Sequence, residues 1–309
     1  MQVAREIDQS FASLSIGTPK VHLNLALFPL FDDGERPSKY LLLDDALDRN
    51  VARVTEVSDD GRVPELAFEN DSSEKILLVD GDELVGAKQN RVLNLSILVG
   101  SRQKLVIPVS CVEQGRWRYD SRDFRSARRS LFAKARAKKM RQVTESLRLN
   151  QDRRSNQSEV WADVAGKVAF CQADSDTLAM GDAYESRDRQ LSVYANAFCA
   201  EDGQRGAVVA IDGKPVGLEL FDSANSFARY LDKLVRSYAL DAIETEAGKT
   251  FIPSEAEVRR FLDSIRNAAA ERFPAIGEGE DIRLTGDGVS GGALAANGRV
   301  VHLAGFAAP

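Results

Sequence analysis

Between Asp80 and Asn94 the chain reads DGDELVGAKQNRVLN, and this stretch sets Glu83, Lys88, Gln89, Asn90, Arg91 and Asn94 between two apolar runs. A reversal of direction there needs only Asp80, Gly81 and Asp82, so the remaining polar side chains are surplus to local geometry and mark a site. A second polar cluster follows at Glu113, Gln114, Arg116, Trp117 and Tyr119. Arginine offers a planar fork to phosphate or carboxylate, amides offer paired donors and acceptors, and an aromatic face can stack a base or a sugar. The combined set suits a polyhydroxylated or phosphorylated ligand, and both clusters line one cavity if the strands that end in them are neighbours. Glu83 and Glu113, with Asp82 beside them, are the candidates for a general acid and base, or for holding a divalent ion that activates water. The competing reading is a closed polar network in which Arg91 pairs with Glu83 or Glu113 and the amides satisfy irregular backbone.

Other reactive side chains carry less. Cys111, Cys171 and Cys199 are widely spaced and odd in number, which fits reduced thiols in a cytoplasm better than a disulfide framework, and they form no zinc pattern. Cys111 lies next to the second cluster but has no histidine near it in sequence, so a small buried apolar role outweighs a nucleophilic one. His22 and His302 sit inside alternating apolar runs and read as partly buried imidazoles with one hydrogen-bond partner each. With two histidines in all, a histidine-rich metal centre is excluded and no metal ligand is assigned; cofactor use stays open. Gly286, Gly288, Gly291 and Gly292 match neither a dinucleotide fingerprint nor a Walker lysine pattern and read as turns.

At 309 residues, 43% apolar and 28% charged, the composition is that of a globular protein rather than a disordered one. The N-terminus has no apolar signal core and no uncharged run approaches a membrane span, so a cytoplasmic protein is expected. The net charge of −6 conceals an asymmetry: thirteen Lys or Arg against four acids between Arg118 and Arg154 leave −15 for the rest of the chain. Residues 122–148 read as a basic helix. Such a helix either meets a nucleic-acid backbone or protein, or is solvated or docked on the acidic remainder; sparse aromatics within it disfavour nucleic acid.

The elements that must position these residues are strands first. Alternating apolar runs at Val21–Phe31, Tyr40–Leu43, Val51–Val57, Val63–Glu69, Lys75–Val79, Val92–Val99 and Lys104–Val112 are separated by Asp32-Asp33-Gly34, Asp59-Asp60-Gly61, Asn70-Asp71, Asp80-Gly81 and Gly100-Ser101. Helical periodicity follows from Asp123 to about Asn150, over Ser158–Gln172 and from about Gln190 to Ala200. Arg205–Phe221 reads as a hairpin about Asp212-Gly213, Ser223 as the cap of a helix through Ser237, Pro253–Phe273 as another helix, and Ile282–Phe306 as two or three strands. The expected architecture is α+β: an antiparallel, strand-rich sandwich or barrel over residues 15–120 bearing the polar site, a helical region over 121–202, and a smaller mixed part over 203–309.

The segments DGDELVGAKQNRVLNLSILV, IPVSCVEQGRWRY and GKPVGLELFDSANSF together resemble a bacterial domain family of unknown function, named for its association with ADP-ribosylglycohydrolases and rhodanese-phosphatase-superfamily proteins. The resemblance runs from about Ser15 to the end of the chain. It places Glu83, Gly86, Gln89, Asn90, Arg91, Glu113 and Trp117 on the family's matching positions and implies contact with ADP-ribose or related nucleotide metabolism. The expected function is therefore binding, with hydrolysis as an open extension, of an ADP-ribose-like or other nucleotide-derived ligand. The alternative is a non-catalytic interaction protein with a buried polar core; oligomeric state is not legible.

Overall fold

The computed structural model describes residues 4–32, 34, 38–58, 60–245 and 251–308. In chain order the elements are α1 (Arg5–Ala12), β1 (Leu14–Ile16), β2 (Lys20–His22), β3 (Leu25–Asp32), β4 (Tyr40–Leu42), α2 (Leu43–Asp48), β5 (Ala52–Glu56), β6 (Glu65–Asn70) and β7 (Lys75–Leu78). Then come β8 (Asp82–Gly86), β9 (Arg91–Leu93), β10 (Ile97–Val99), β11 (Lys104–Cys111), β12 (Phe124–Ser130), α3 (Ala133–Asn150), α4 (Gln157–Cys171), α5 (Met180–Ser186) and α6 (Asp188–Asn196). The last part holds β13 (Gln204–Ile211), β14 (Lys214–Phe221), α7 (Ala224–Ala242), α8 (Glu255–Arg266), β15 (Ala269–Pro274), β16 (Glu280–Gly286), β17 (Val289–Ala296) and β18 (Arg299–Ala307). The chain is α+β, as its alternation of period-2 and helical segments implies. Contacts divide it into two compact units, one of residues 1–38, 192–275 and 279–309, the other of 39–191 with 276–278.

The unit of residues 39–191 carries both polar motifs. Its main sheet has the order β12-β8-β9-β11-β6-β5, antiparallel throughout, and a second sheet of order β10-β7-β4 joins β4 to β7 in parallel. Alternation along each strand fills one face with Val54, Leu66, Phe68, Leu84, Leu93, Ile107, Val109 and Phe124, packed against Leu43 and Ala46 of α2. Each of these aliphatic and aromatic side chains contributes roughly 1.5–3 kcal/mol by leaving water.

The other unit is built on one antiparallel sheet of order β1-β3-β13-β14-β18-β17-β16-β15, with β2 also on β3. Phe28, Leu30, Val208, Leu218, Leu220 and Leu303 pack against Ile7 and Phe11 of α1 and Val258, Phe261, Leu262 and Ile265 of α8. The β13–β14 hairpin turns at Asp212 and Gly213, whose φ values of 50° and 75° are the left-handed pair of a tight turn, as the Asp-Gly dipeptide predicts. His302 Nε2 lies 3.2 Å from Glu219 Oε2 in the interior, while half-buried His22 meets the Tyr194 ring edge-on at 5.5 Å.

Several elements differ from the sequence expectation. Residues 124–130 are a strand, not the start of a helix from Asp123, and the helix proper is Ala133–Asn150. The cause is a register shift between Ser126 and Ser130, with Arg128 at φ 53°, which breaks strict alternation in β12 and leaves spacings that mimic a helical face. The basic helix read at 122–148 is therefore a strand followed by a helix. Val92–Val99 is two strands, β9 and β10, in different sheets, because buried Asn94 turns aside to accept from Ser110 Oγ at 2.6 Å and donate to the Arg153 carbonyl at 2.9 Å. Val21–Phe31 is interrupted at Leu23, φ 52°, and the helix from Pro253 stops at Arg266, with residues 269–274 paired to β16 instead. The helix expected over 190–200 ends at Asn196, α7 continues past Ser237 to Ala242, and α1, α2 and α5 carry too few turns for periodicity to disclose them. Two of the expected turns include Asp33 and Asp59, which lie outside the described residues.

Gly86 closes β8 at φ 128°, where L side chains are strained, and a Cβ there would meet Ser121 Oγ at 2.5 Å and the Asp123 carbonyl oxygen at 2.9 Å. Gly86→Ala is expected to lower the unfolding free energy by about 1–3 kcal/mol, read from urea denaturation. Stability equal to wild type would mean that the 121–123 segment yields without cost.

Candidate functional site

Strand register explains how an arginine comes to lie among apolar side chains. Leu84 of β8 and Cys111 of β11 both pair with Arg91, which stands two positions before Leu93 on β9. Alternation therefore turns Arg91 and Cys111 to the face that holds Leu84, Leu93 and Val109. Arg91 is fully buried. Its Nη1 donates at 3.4 Å to the Asn90 carbonyl, while Nε and Nη2 have no partner. Burial draws the guanidinium below its ordinary pKa, against the opposing pull of Cys111 and Glu56, and burial pushes the Cys111 thiol up. Cys111 is thus a closed-in thiol with Sγ 3.3 Å from the Glu113 carbonyl, not an exposed nucleophile.

The two polar motifs are joined by Arg116. Its Nε donates to Glu113 Oε1 at 2.9 Å, Nη1 to the carbonyls of Ala87 at 2.6 Å and Arg118 at 3.1 Å, and Nη2 to the Gly86 carbonyl at 3.2 Å and Asn90 Oδ1 at 3.0 Å. Nη2 also stands 2.8 Å from Glu113 Oε2. Glu113 accepts in addition from the Asn90 N–H at 3.0 Å and Thr177 Oγ at 2.9 Å, and Gln89 Nε2 donates to its backbone carbonyl at 3.0 Å. Burial alone would raise the Glu113 pKa, but hydrogen bonds from Arg116, the Asn90 N–H and Thr177 outweigh it and hold the carboxyl below its usual range.

Glu83 faces the other way along β8. It has no exposed surface, and Arg129, which β12 supplies, donates from Nε to Glu83 Oε2 at 3.0 Å. Arg129 Nη1 reaches the Gly181 carbonyl at 3.3 Å and Glu185 at 3.2 Å on α5. Burial raises the Glu83 pKa despite that partner, and Glu83 Oε1 has no hydrogen bond. Arg91 pairs with neither acid: Glu83 takes Arg129 and Glu113 takes Arg116. Arg129, Thr177 and Glu185 are the partners that sequence reasoning does not single out. Arg129 was hidden by the helical reading of its segment, and nothing in the pattern marks Thr177.

The clamp presents a basic aromatic corner. Trp117 and Tyr119 are 49% and 50% exposed, and Lys88 Nζ lies 5.3 Å and 5.0 Å from their ring centroids. The Arg91 guanidinium carbon is 5.8 Å from the Trp117 centroid. A cleft of about 570 Å³ adjoins the corner at Tyr119 and is lined by Thr55, Glu56, Ser58, Asp120, Ser121 and Arg122. Among the sequence candidates, Gln89, Asn90, Arg91, Glu113, Arg116, Trp117, Tyr119 and Lys88 come together here, Gln114 is exposed at the tip of the loop, and Glu83 and Asn94 are buried with other partners. Among the described residues no three carboxylate, imidazole or thiol groups converge as cation ligands, and no helix is long and apolar enough to cross a membrane.

An α+β chain whose six-stranded sheet carries two motifs locked together by one arginine is what the fold and the corner define. The family model described as the ARG and Rhodanese-Phosphatase-superfamily-associated Protein domain matches residues 13–306, and the chain belongs to that family. No curated protein and no solved structure matches it.

The two acids have opposite signs of pH linkage. Glu113, lowered in the fold, adds stability above the ordinary carboxylate pKa that is lost as pH falls through its folded value; Glu83, raised, adds stability at low pH that is lost as pH rises through its folded value. Relative to wild type, Glu113→Gln is expected to be most destabilised near neutrality, with the gap narrowing in acid. Glu83→Gln is expected to show a gap that widens in acid. Denaturation of both variants between neutrality and the carboxylate range checks this, and slopes of the same sign would contradict the assignment.

Proposed function

We propose that the unit of residues 39–191 binds a ring-bearing, anionic ligand of the nucleotide class at the corner of Lys88, Trp117 and Tyr119, with Arg91 beneath it. The observation that carries this reading is Arg91 itself: a wholly buried cation with two donor nitrogens, Nε and Nη2, unpartnered, beside a half-exposed indole. A buried charge with unpartnered donors costs several kcal/mol, and an anion held at the corner above it offsets part of that cost through space. The rings supply stacking faces, and the Arg116 clamp fixes their backbone before any ligand arrives, which lowers the entropy lost on binding. The association in the family's name makes ADP-ribose the first ligand to test.

Binding is favoured over hydrolysis by the state of the two acids. Both Glu113 oxygens already accept from Arg116 and from Thr177 or the Asn90 N–H, which suits a structural clamp better than a general base. Glu83 lies on the opposite face of β8, fully buried and held by Arg129, so neither acid is offered to a ligand at the corner.

Calorimetric titration of the full chain with ADP-ribose, adenosine monophosphate and pyrophosphate tests the reading. Trp117→Ala is expected to weaken binding of the nucleotides by roughly 10- to 100-fold, as loss of about 1–3 kcal/mol of stacking implies. Arg91→Met is expected to unfold at or above the wild-type midpoint, since it removes a buried charge, and yet to bind none of the three. Absence of saturable binding by wild type, or unchanged affinity in both variants, would refute the proposal.

A further inference from the structure

We infer that the cleft beside Tyr119 is a sugar subsite that takes a vicinal diol, so that the ligand class is a ribonucleotide and not its deoxy counterpart; this rests on the binding reading above. The cleft and the corner share Tyr119, and together they divide charge sharply. The corner holds Lys88 over two rings with Arg91 below, whereas the cleft is lined by the carboxylates Glu56 and Asp120, with hydroxyls from Thr55, Ser58 and Ser121, and a single cation, Arg122. A phosphate group placed against two carboxylates is repelled, so the anionic part of a ligand belongs at the corner. A neutral group that donates hydrogen bonds belongs in the cleft.

Register gives the same answer for Glu56 as for Arg91. Glu56 ends β5 two positions after Val54, pairs with Leu66, and is thereby turned to the buried side of the sheet. It is 9% exposed; Oε1 accepts the Lys88 backbone N–H at 3.4 Å, and Oε2 has no partner. Gly61, at φ 70°, passes so close that a Cβ would stand 3.1 Å from that Oε2. An ionised carboxylate only accepts, so its complement must donate, and adjacent hydroxyls on a furanose ring offer two donors at the spacing of one carboxylate. Acceptance of ribose hydroxyls by an acidic side chain is an established solution in nucleotide recognition. Asp120 is exposed and its backbone is held by a 2.9 Å hydrogen bond from its N–H to the Ala87 carbonyl, which keeps a second acceptor in the cleft lining. A volume of about 570 Å³ exceeds what phosphate alone needs and lies in the range of small-molecule sites.

The test compares adenosine monophosphate with its 2′-deoxy and 3′-deoxy analogues on the full chain, by calorimetry. Wild type is expected to bind each deoxy analogue at least about tenfold more weakly, because a lost hydroxyl leaves an acceptor unpaired. Asp120→Asn and Glu56→Gln are expected to compress that ratio towards one, and the exposed position of Asp120 keeps the first variant folded if the second is not. Trp117→Ala should weaken all three nucleotides and leave the ratio intact. Equal affinity of wild type for ribo and deoxy forms would overturn the sugar subsite while leaving the corner reading standing. No binding of any nucleotide would overturn both.

Discussion

One guanidinium ties the two motifs into a single structure. Arg116 spreads its donors over the Glu113 carboxylate, the carbonyls of Gly86, Ala87 and Arg118, and Asn90 Oδ1, with side-chain exposures of 11% for Arg116 and 7% for Glu113. Charge-assisted bonds of this kind are about twice as strong as neutral ones, and the planar fork loses little freedom per bond formed. Lysine at this position could not reach so many acceptors. The irregular segment after β11 has no ladder of its own, so its course depends on this side chain and on the contacts of Gly115 and Asp120 with the Thr177 and Ala87 carbonyls. What the clamp leaves exposed is Trp117 and Tyr119, whose positions follow from groups that are themselves mostly buried.

The strong positive excess between Arg118 and Arg154 has its counterpart in how these side chains are spent. Arg129 meets Glu83 and Glu185, Lys138 meets Glu159 and Asp163, Arg128 meets Asp48, and Lys139 and Arg136 converge on Asp80. Exposed members of this set contribute little, typically under 1 kcal/mol each. Buried members matter differently: removing either partner strands the other in a low-dielectric interior. These five cations are thereby paired within their own unit. Arg91 departs from that pattern, having no carboxylate within ion-pair distance among its described contacts.

Much of this was legible in the sequence because burial follows period. The strands at 40–43, 51–57, 63–69, 75–79 and 104–112 and the Asp212-Gly213 hairpin fall where alternation and turn chemistry place them. So does the clustering of Glu113, Arg116, Trp117 and Tyr119 with Lys88 to Arg91, once β9 and β11 prove to be neighbours. Three things were not legible. The bulge in β12 replaces local alternation with a pairing to β8 that only the folded chain supplies. The break at Asn94 depends on partners at Ser110 and Arg153, distant in sequence. The choice of partner for each charge is a matter of distance and angle: Arg91, Arg116 and Arg129 are chemically equivalent in a string of letters, and only the folded course of the chain decides which finds an acid.

Strand register also explains why Glu56 and Arg91 do not neutralise each other. They carry opposite charge, both lie on the inward side of the same sheet, and Arg91 feels the field of Glu56, yet each keeps unpartnered atoms. The order β9-β11-β6-β5 sets two strands between them, close to 10 Å of backbone spacing beyond a direct neighbour's distance, and the Glu56 carboxylate takes the Lys88 backbone N–H instead. A protein shaped for stability alone gains by replacing both with apolar side chains of similar volume. On the binding proposal, holding one donor-rich and one acceptor-only group apart instead maintains an electrostatic gradient across the corner and cleft, fixed by strand pairing and therefore costing no reorganisation when a molecule with an anionic end and a hydroxylated end binds.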